Sequence, residues 1–250
     1  MIHLKSDAEI DAMRPAGRLA AKLLEMIGPH VKAGVSTYEL DKICASYTKE
    51  AGAISAPLNY HGFPKSICTS INDVVCHGIP SKKDVLKNGD IINIDVTPIV
   101  DGYHGDTSKM FVVGETSAEA KELIKVTKEC LDLAIKTVRP GGRVGDIGSV
   151  IQAHATKHGF SVVQDFVGHG IGKKFHEDPQ IHHFGTRGRG TRLEKGMVFT
   201  IEPMINTGDW KTKVMKDNWT AKTIDGGLSA QFEHTIAIRS NGEVEILTKL

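Results

Sequence analysis

Apolar residues recur at helical spacing in four stretches of this chain and at alternate positions in many short runs. Ser6 to Glu9 reads as a capping box, and Ile10, Met13 and Gly17 follow at helical spacing, which predicts a helix to about Ile27 with Gly28-Pro29 ending it or adding a short extension. A second box, Ser36 to Glu39, predicts a helix through Leu40, Ile43, Cys44 and Tyr47 that stops near Gly52. Residues 53–80 read as loops and short strands, punctuated by Pro57, Gly62-Phe63-Pro64 and Gly78-Ile79-Pro80. Thr116 and Glu119 read as a third box, opening a long helix through Leu123, Val126, Cys130, Leu133 and Ile135 that ends before Pro140-Gly141-Gly142. A fourth helix is expected from Asp146 to His158, closed by Gly159. From Phe160 onward the pattern is strands and loops.

The most informative stretch is 90–111. Two strand-forming runs flank Asp101-Gly102, a pair that suits a two-residue hairpin turn because both positions need positive φ. In that register Val100 faces Tyr103, Thr97 faces Asp106 and Asp95 faces Ser108. Side chains alternate along a strand, so Asp95, Thr97, Asp106 and Ser108 share one face, and Ile92, Ile94, Val96, Val100 and Phe111 share the other. Asp95 and Asp106 become diagonal neighbours. Buried, they repel unless a cation or proton lies between them. Two readings follow: a metal site, or two aspartates on a solvated sheet face.

The chain also repeats itself. Leu86-x-x-Gly89-x-Ile91-Ile92-x-Ile94-Asp95 matches Leu193-x-x-Gly196-x-Val198-Phe199-x-Ile201-Glu202 at a spacing of 107 residues (95 to 202). The same spacing aligns Val31-Lys32-Ala33-Gly34 with Val138-Arg139-Pro140-Gly141 (31 to 138), Leu40 with Ile147, Ile43 with Val150, and Gly52 with Gly159. Each half, roughly 1–110 and 111–250, reads helix, helix, strands. The expectation is an α+β fold over 1–250 as one catalytic domain, with pseudo-twofold halves joining their strands in one antiparallel sheet under outer helices. Asp95 and Glu202 then meet near its centre.

Composition narrows the class. At 40% hydrophobic and 24% charged residues the chain is ordinary for a globular protein that buries a sizeable core. A net charge of +1 gives no global field toward DNA or membrane. The four cysteines form no Cys-x-x-Cys pair, which argues against a zinc knot, and reduced thiols are expected. No run is apolar enough to span a bilayer and the start has no signal-peptide core, so the expected compartment is the cytoplasm.

Further chemistry lies in the second half. His169 sits between glycines in Val167-Gly168-His169-Gly170-Ile171-Gly172, Glu202 ends an apolar run before Pro203, and Glu233 sits among apolar neighbours in Ala230-Gln231-Phe232-Glu233-His234. Singly, each has an ordinary structural reading. Together with Asp95 and Asp106 they make four carboxylates and one imidazole, a set suited to Mn, Fe(II), Co or Zn, with Asp106 and Glu233 as candidate bridges between two ions. His176-Glu177-Asp178-Pro179-Gln180 is not a zincin helix, because the fifth residue is Gln180 and Pro179 disfavours a helix. His182 and His183 adjoin a glycine-rich loop and are expected to be solvated. Arg187 to Arg192 reads first as a solvated turn, with RNA contact as the alternative.

The stretches Tyr60-His-Gly-Phe-Pro-Lys-Ser-Ile-Cys68, Asn72-Asp-Val-Val-Cys-His-Gly-Ile-Pro80, Asn93-Ile-Asp-Val, Asp101-Gly-Tyr-His-Gly-Asp106, Gly168-His-Gly-Ile-Gly172, Phe175-His-Glu-Asp-Pro179, Thr200-Ile-Glu-Pro203 and Gln231-Phe-Glu-His234 resemble, in order, those of type I methionine aminopeptidases of the short bacterial form. The resemblance covers essentially the whole chain and implies the pita-bread fold. It implies metal ligation by Asp95, Asp106, His169, Glu202 and Glu233, catalytic and substrate-binding roles for His77 and His176, and proton transfer through Glu202. It places the methionine pocket at Tyr60, Phe63, Cys68, His77, Phe175 and Trp219. It also implies a monovalent cation near Asn72, Val74 and Ser229. Two positions depart from the family pattern: Phe63 where Tyr is frequent, and Pro57 where some members have Cys. The implied function is metal-dependent removal of N-terminal methionine from nascent chains with small second residues. A monomer is the default expectation, and the ribosome is a candidate partner. The rivals are an Xaa-Pro peptidase, which shares fold and ligands, a non-catalytic binding protein of this fold, and a two-metal phosphoesterase.

Overall fold

The computed structural model describes residues 2–250. Among these are four α-helices: α1 (Asp7–Ile27), α2 (Thr37–Glu50), α3 (Ala118–Thr137) and α4 (Val144–Lys157). At the start of α1, Ser6 Oγ accepts from Glu9 N at 3.2 Å and the Glu9 carboxylate accepts from Ser6 N at 2.9 Å, the predicted box. The helix buries Ile10, Met13, Ala20, Leu23 and Ile27 and runs on into a 3-10 turn, Gly28–His30. Ser36 and Glu39 cap α2 in the same way.

Two helix starts differ from expectation. Ser117, not Thr116, caps α3, accepting from Ala120 N at 3.1 Å. Thr116 Oγ1 instead donates to Gly89 O at 2.7 Å, a tertiary partner that sequence spacing cannot register. The inner face of α3 carries Leu131 and Ala134, while Leu133 and Ile135 are only half-buried. Helix α4 begins at Val144, because the Asp146 carboxylate accepts from Arg143 N at 2.9 Å and so occupies the third helical position.

The strand pairings are all antiparallel. They form five small sheets among the described residues, where one continuous sheet was expected. The cause lies in the two central strands. Ile91–Val96 stops before Thr97 and resumes as Pro98–Val100; Val198–Ile201 stops before Glu202-Pro203 and resumes as Met204–Asn206. Proline offers no N–H to a ladder, so each strand turns away there and finds new partners. Ser55 pairs with Pro98 and Val162 with Ile205, again 107 residues apart (55 to 162). The sequence repeat is thus a repeat of hydrogen-bond register. Its glycines carry it: Gly34 and Gly141 have φ of 90° and 81°, and Gly89 and Gly196 have 98° and 88°.

The hairpin register is the predicted one, with Val100 opposite Tyr103 and Asp95 opposite Ser108. Ile92, Ile94 and Val96 face the core under α1 and α2. The opposite face is not solvated. Ile91 and Met110 on that face join the larger core under α3 and α4, and Asp106 and Ser108 are buried beside them. The two halves are stitched together by three side-chain-to-backbone bonds: Asn93 Nδ2 donates to Gln231 O at 2.8 Å, Thr107 Oγ1 to Glu233 O at 2.6 Å, and Thr235 Oγ1 to Asp106 O at 2.8 Å. The carboxylates therefore lie in a buried seam.

Candidate active site

Backbone packing aims the side chains. A Cβ on Gly105 would lie 2.4 Å from backbone atoms of Ala16 and Gly17, so only glycine lets the hairpin press onto α1 and present Asp106. His169 stands between Gly168 and Gly170, whose added Cβ atoms would come within 2.5 Å of Thr200 O and 2.1 Å of Asp178 O. The His169 ring sets Nδ1 3.0 Å from Gly170 O; donating there, it keeps Nε2 as a free lone pair. That Nε2 lies 3.6 Å from Asp106 Oδ2 and 3.7 Å from Glu202 Oε1. Thr97 Oγ1 donates to Asp106 Oδ1 at 2.8 Å, Thr200 Oγ1 to Glu202 Oε1 at 2.7 Å, and Gln231 Nε2 to Glu202 Oε2 at 3.2 Å. Ligand-capable atoms of Asp106, His169 and Glu233 all lie within 4.8 Å of one another, and Asp95 abuts Asp106.

Burial, then the neighbouring carboxylates, push Asp95 and Glu233 well above the usual carboxylate range. Burial raises Glu202 to about 7. Burial alone would lower His169, but Asp106 and Glu202 outweigh it and hold the ring above its ordinary value. Among the described residues no lysine or arginine pairs with the four acids; their only ion-pair partner is His169. A buried cluster so rich in negative charge and so poor in cations fits divalent metal ions, and its four oxygens-to-one-nitrogen chemistry suits Mn, Fe(II), Co or Zn.

A pH dependence follows for the metal-free protein. Acids whose folded pKa is raised bind more protons folded than unfolded, so stability falls as pH rises through the folded value. The histidines lowered by burial (His77, His104, His176, His183, His234) act in the opposite direction, but only below about pH 6.5, where the unfolded ring still takes up a proton. From pH 7 to 8 the raised acids and His169 set the slope; the buried thiols of Cys44, Cys68, Cys76 and Cys130, also raised by burial, add to it only toward about pH 8.5, where unfolded thiols ionise. The metal-free melting temperature should fall by roughly 5 °C from pH 7 to 8, and more steeply than that of metal-saturated protein. A flat or rising metal-free curve in calorimetry would contradict this electrostatic account.

The acids and His169 line a cavity of about 850 Å3, and so do Tyr60, Phe63, Cys68, His77, Phe175, His176 and Trp219. Phe63 is buried edge-on to Trp219 at 5.3 Å, and Tyr60 tilts against Phe175 at 5.0 Å. The Tyr60 hydroxyl lies 2.7 Å from His176 Nδ1, and the His176 ring stacks on Phe175 at 4.4 Å. Burial first, then His169, lowers His176 to about 4. His77 has φ of 56°, with its ring edge-on to Phe166 at 5.5 Å and to Trp219 at 6.2 Å. Next to it, a Cβ on Gly78 would meet Thr69 O at 2.0 Å, so the turn is closely packed. Away from the acids, Ser229 N donates to Asn72 O at 2.8 Å, Val74 begins the adjoining strand, and Ser229 Oγ is buried without a partner.

Sequence reasoning misjudged or missed several residues here. His183 is fully buried, not solvated: Glu202 N donates to its Nε2 at 3.1 Å, and burial lowers the ring to about 3. His104 and Gln231 went unassigned. His104 is buried, its Nδ1 3.0 Å from Gly172 O, and its ring stacks over Phe175 at 5.5 Å. The available signal was alternation: His104 stands two residues before Asp106, and Gln231 two before Glu233. Arg187 to Arg192 is exposed throughout, as a solvated turn would be.

A duplicated α+β fold with acids and one imidazole on the floor of an apolar-walled cavity defines a class of metallopeptidases. The model of metallopeptidase family M24 matches residues 11–240, and the chain belongs to that family and, within it, to the methionine aminopeptidases. Methionine aminopeptidase A of Synechocystis sp. is 62% identical over 247 residues, covering 99% of this chain and 97% of that one. The crystal structure of methionine aminopeptidase from Rickettsia prowazekii superposes with a TM-score of 0.97 at 52% identity, covering 100% of both chains. An Xaa-Pro dipeptidase from Bacillus anthracis shares the pita-bread fold at a TM-score of 0.79 and 25% identity; the match covers 99% of this chain and only 62% of that one.

Proposed function

We propose that the chain hydrolyses the first peptide bond of polypeptides that begin with methionine, and that Asp95, Asp106, His169, Glu202 and Glu233 would hold two divalent ions for that reaction. The observation that carries this reading is the meeting of these five side chains on one cavity with Tyr60, Phe63, Cys68, His77, Phe175, His176 and Trp219. When bound, the ions supply Lewis acidity at the scissile carbonyl and a water acidified to a pKa of about 7. Glu202, raised to about 7 by burial, would accept the proton at its carboxylate. Nδ1 of His176 accepts from the Tyr60 hydroxyl, which leaves Nε2–H to donate toward the carbonyl oxygen as charge develops. His77, unpaired among the described side chains, donates to the scissile amide nitrogen.

The aromatic walls formed by Phe63, Phe175 and Trp219, with the Cys68 thiol as a soft contact, suit an unbranched thioether. The small second residue, the monovalent cation at Asn72, Val74 and Ser229, action as a cytoplasmic monomer on nascent chains, and ribosome contact complete the proposal. No described helix is long and apolar enough to cross a membrane.

The test is a peptide panel. Metal-loaded protein is incubated with Met-Gly-, Met-Leu-, Met-Lys- and Ala-Pro-initiated peptides, and products are read by mass spectrometry. Met-Gly should be cleaved fastest and Ala-Pro left intact. Cleavage of Ala-Pro alone would overturn the assignment; equal rates for Met-Gly and Met-Lys would remove the small-residue preference.

A further inference from the structure

Far from the cavity, α3 and α4 bring four donors together. His154 lies in the last turn of α4 and His158 caps its end, one turn further on. Their rings share a face, with centroids 4.8 Å apart. From α3, Glu129 Oε2 reaches 2.8 Å from His154 Nε2, and Glu122 Oε1 reaches 3.3 Å from His158 Nδ1. Ligand-capable atoms of Glu129, His154 and His158 all lie within 4.8 Å of one another. Each of the three is half-buried, so the group is ordered yet open to solvent. None of them lines the catalytic cavity.

We infer that Glu129, His154 and His158 form a second metal site, for a borderline transition-metal ion such as Zn2+, Ni2+ or Cu2+, with Glu122 as a fourth donor. Two imidazoles and carboxylate oxygens favour these ions over Mg2+ or Ca2+, which prefer oxygen throughout. Binding moves the His154 proton from Nε2 to Nδ1 and replaces one hydrogen bond by a bond to the ion. Lys125 holds Glu122 at 3.4 Å and competes for it, which makes Glu122 the weakest of the four donors. The ion would tie α3 to α4 directly, a clip on the helical layer rather than a catalytic centre.

The inference is independent of the catalytic reading and is tested by difference. Metal-stripped wild type and a His154→Ala, His158→Ala double variant are dialysed against about 10 µM free Zn2+, in the range that separates built sites from weak surface binding. Wild type should hold one more equivalent than the double variant, with turnover the same in both. In an Asp106→Asn background the extra equivalent should remain, and Zn2+ should raise the melting temperature by a few degrees, roughly what saturation of such a site supplies. That rise should vanish when His154 and His158 are also replaced. Equal stoichiometry in wild type and double variant would overturn the inference. So would an extra equivalent that appears only at free Zn2+ on the order of 1 mM, which marks an adventitious ion only. A His154→Gln, His158→Gln variant with unchanged metal-free melting temperature guards against loss through misfolding.

Discussion

Asp106→Asn should lower turnover by on the order of 10³-fold or more and strip the cavity of its metal, with the fold intact. The loss should exceed the 10–100-fold that follows removal of a residue merely supporting a ligand. Asparagine keeps the shape and the Oδ1 that accepts from Thr97 at 2.8 Å, so local packing is preserved. It removes one of four clustered acids and with it the Oδ2 that faces His169 at 3.6 Å. Two dications would then be under-compensated. The metal-free variant moves the other way: with one like charge fewer, Asp95 and Glu233 repel less, and its melting temperature at pH 8 should equal or exceed that of metal-free wild type. Turnover, metal content by mass spectrometry and calorimetry on one preparation decide the matter. Wild-type metal content and turnover in Asp106→Asn would refute the proposed centre.

His77→Ala should lower turnover 10²–10⁴-fold, the usual worth of one acid–base or charge-stabilising group, with little change in the Michaelis constant and none in metal content. The hydrogen bond it offers grows as the amide nitrogen becomes a leaving group, so it belongs to the transition state. The backbone complicates alanine, because His77 has φ of 56° and a β-carbon alone tolerates that region poorly. His77→Asn is the needed control, since asparagine visits left-handed backbone readily. Were His77 only structural, Asn would restore both melting temperature and turnover. If it is catalytic, Asn restores the melting temperature and turnover stays low. A variant that loses its metal would show that the role is misassigned.

The hairpin was legible because Asp101-Gly102 fixes the turn and strict alternation does the rest; Asp95 falls opposite Ser108 by counting alone. The duplication was legible because glycines with positive φ recur at a constant spacing and cannot drift without strain. What sequence could not show was tertiary choice. Thr116 and Ser117 are both good caps, and the carbonyl of Gly89 decides between them. His183 has glycine-rich neighbours and looks solvated until the backbone of Glu202, 19 residues on, is laid over it. The apolar pocket is assembled from Phe63, Phe175 and Trp219, too far apart for any periodicity to join, and only likeness to a family named them beforehand.

The seam between the halves also dictates when the site comes into being. Asp106 N bonds Thr235 Oγ1 across 129 residues of chain, and Asp95 and Glu233 are more distant still in sequence. Contacts of such separation form late, after the entropy of closing long loops has been overcome. Neither folded half alone holds more than part of the cluster. The ion therefore cannot serve as a nucleus for folding, as it does in small zinc modules. An ion held by these five side chains would enter a finished structure and slow its unfolding, because interactions absent from the transition state act on that rate. Metal at this seam would then set how long the native state lasts, not how quickly it is reached.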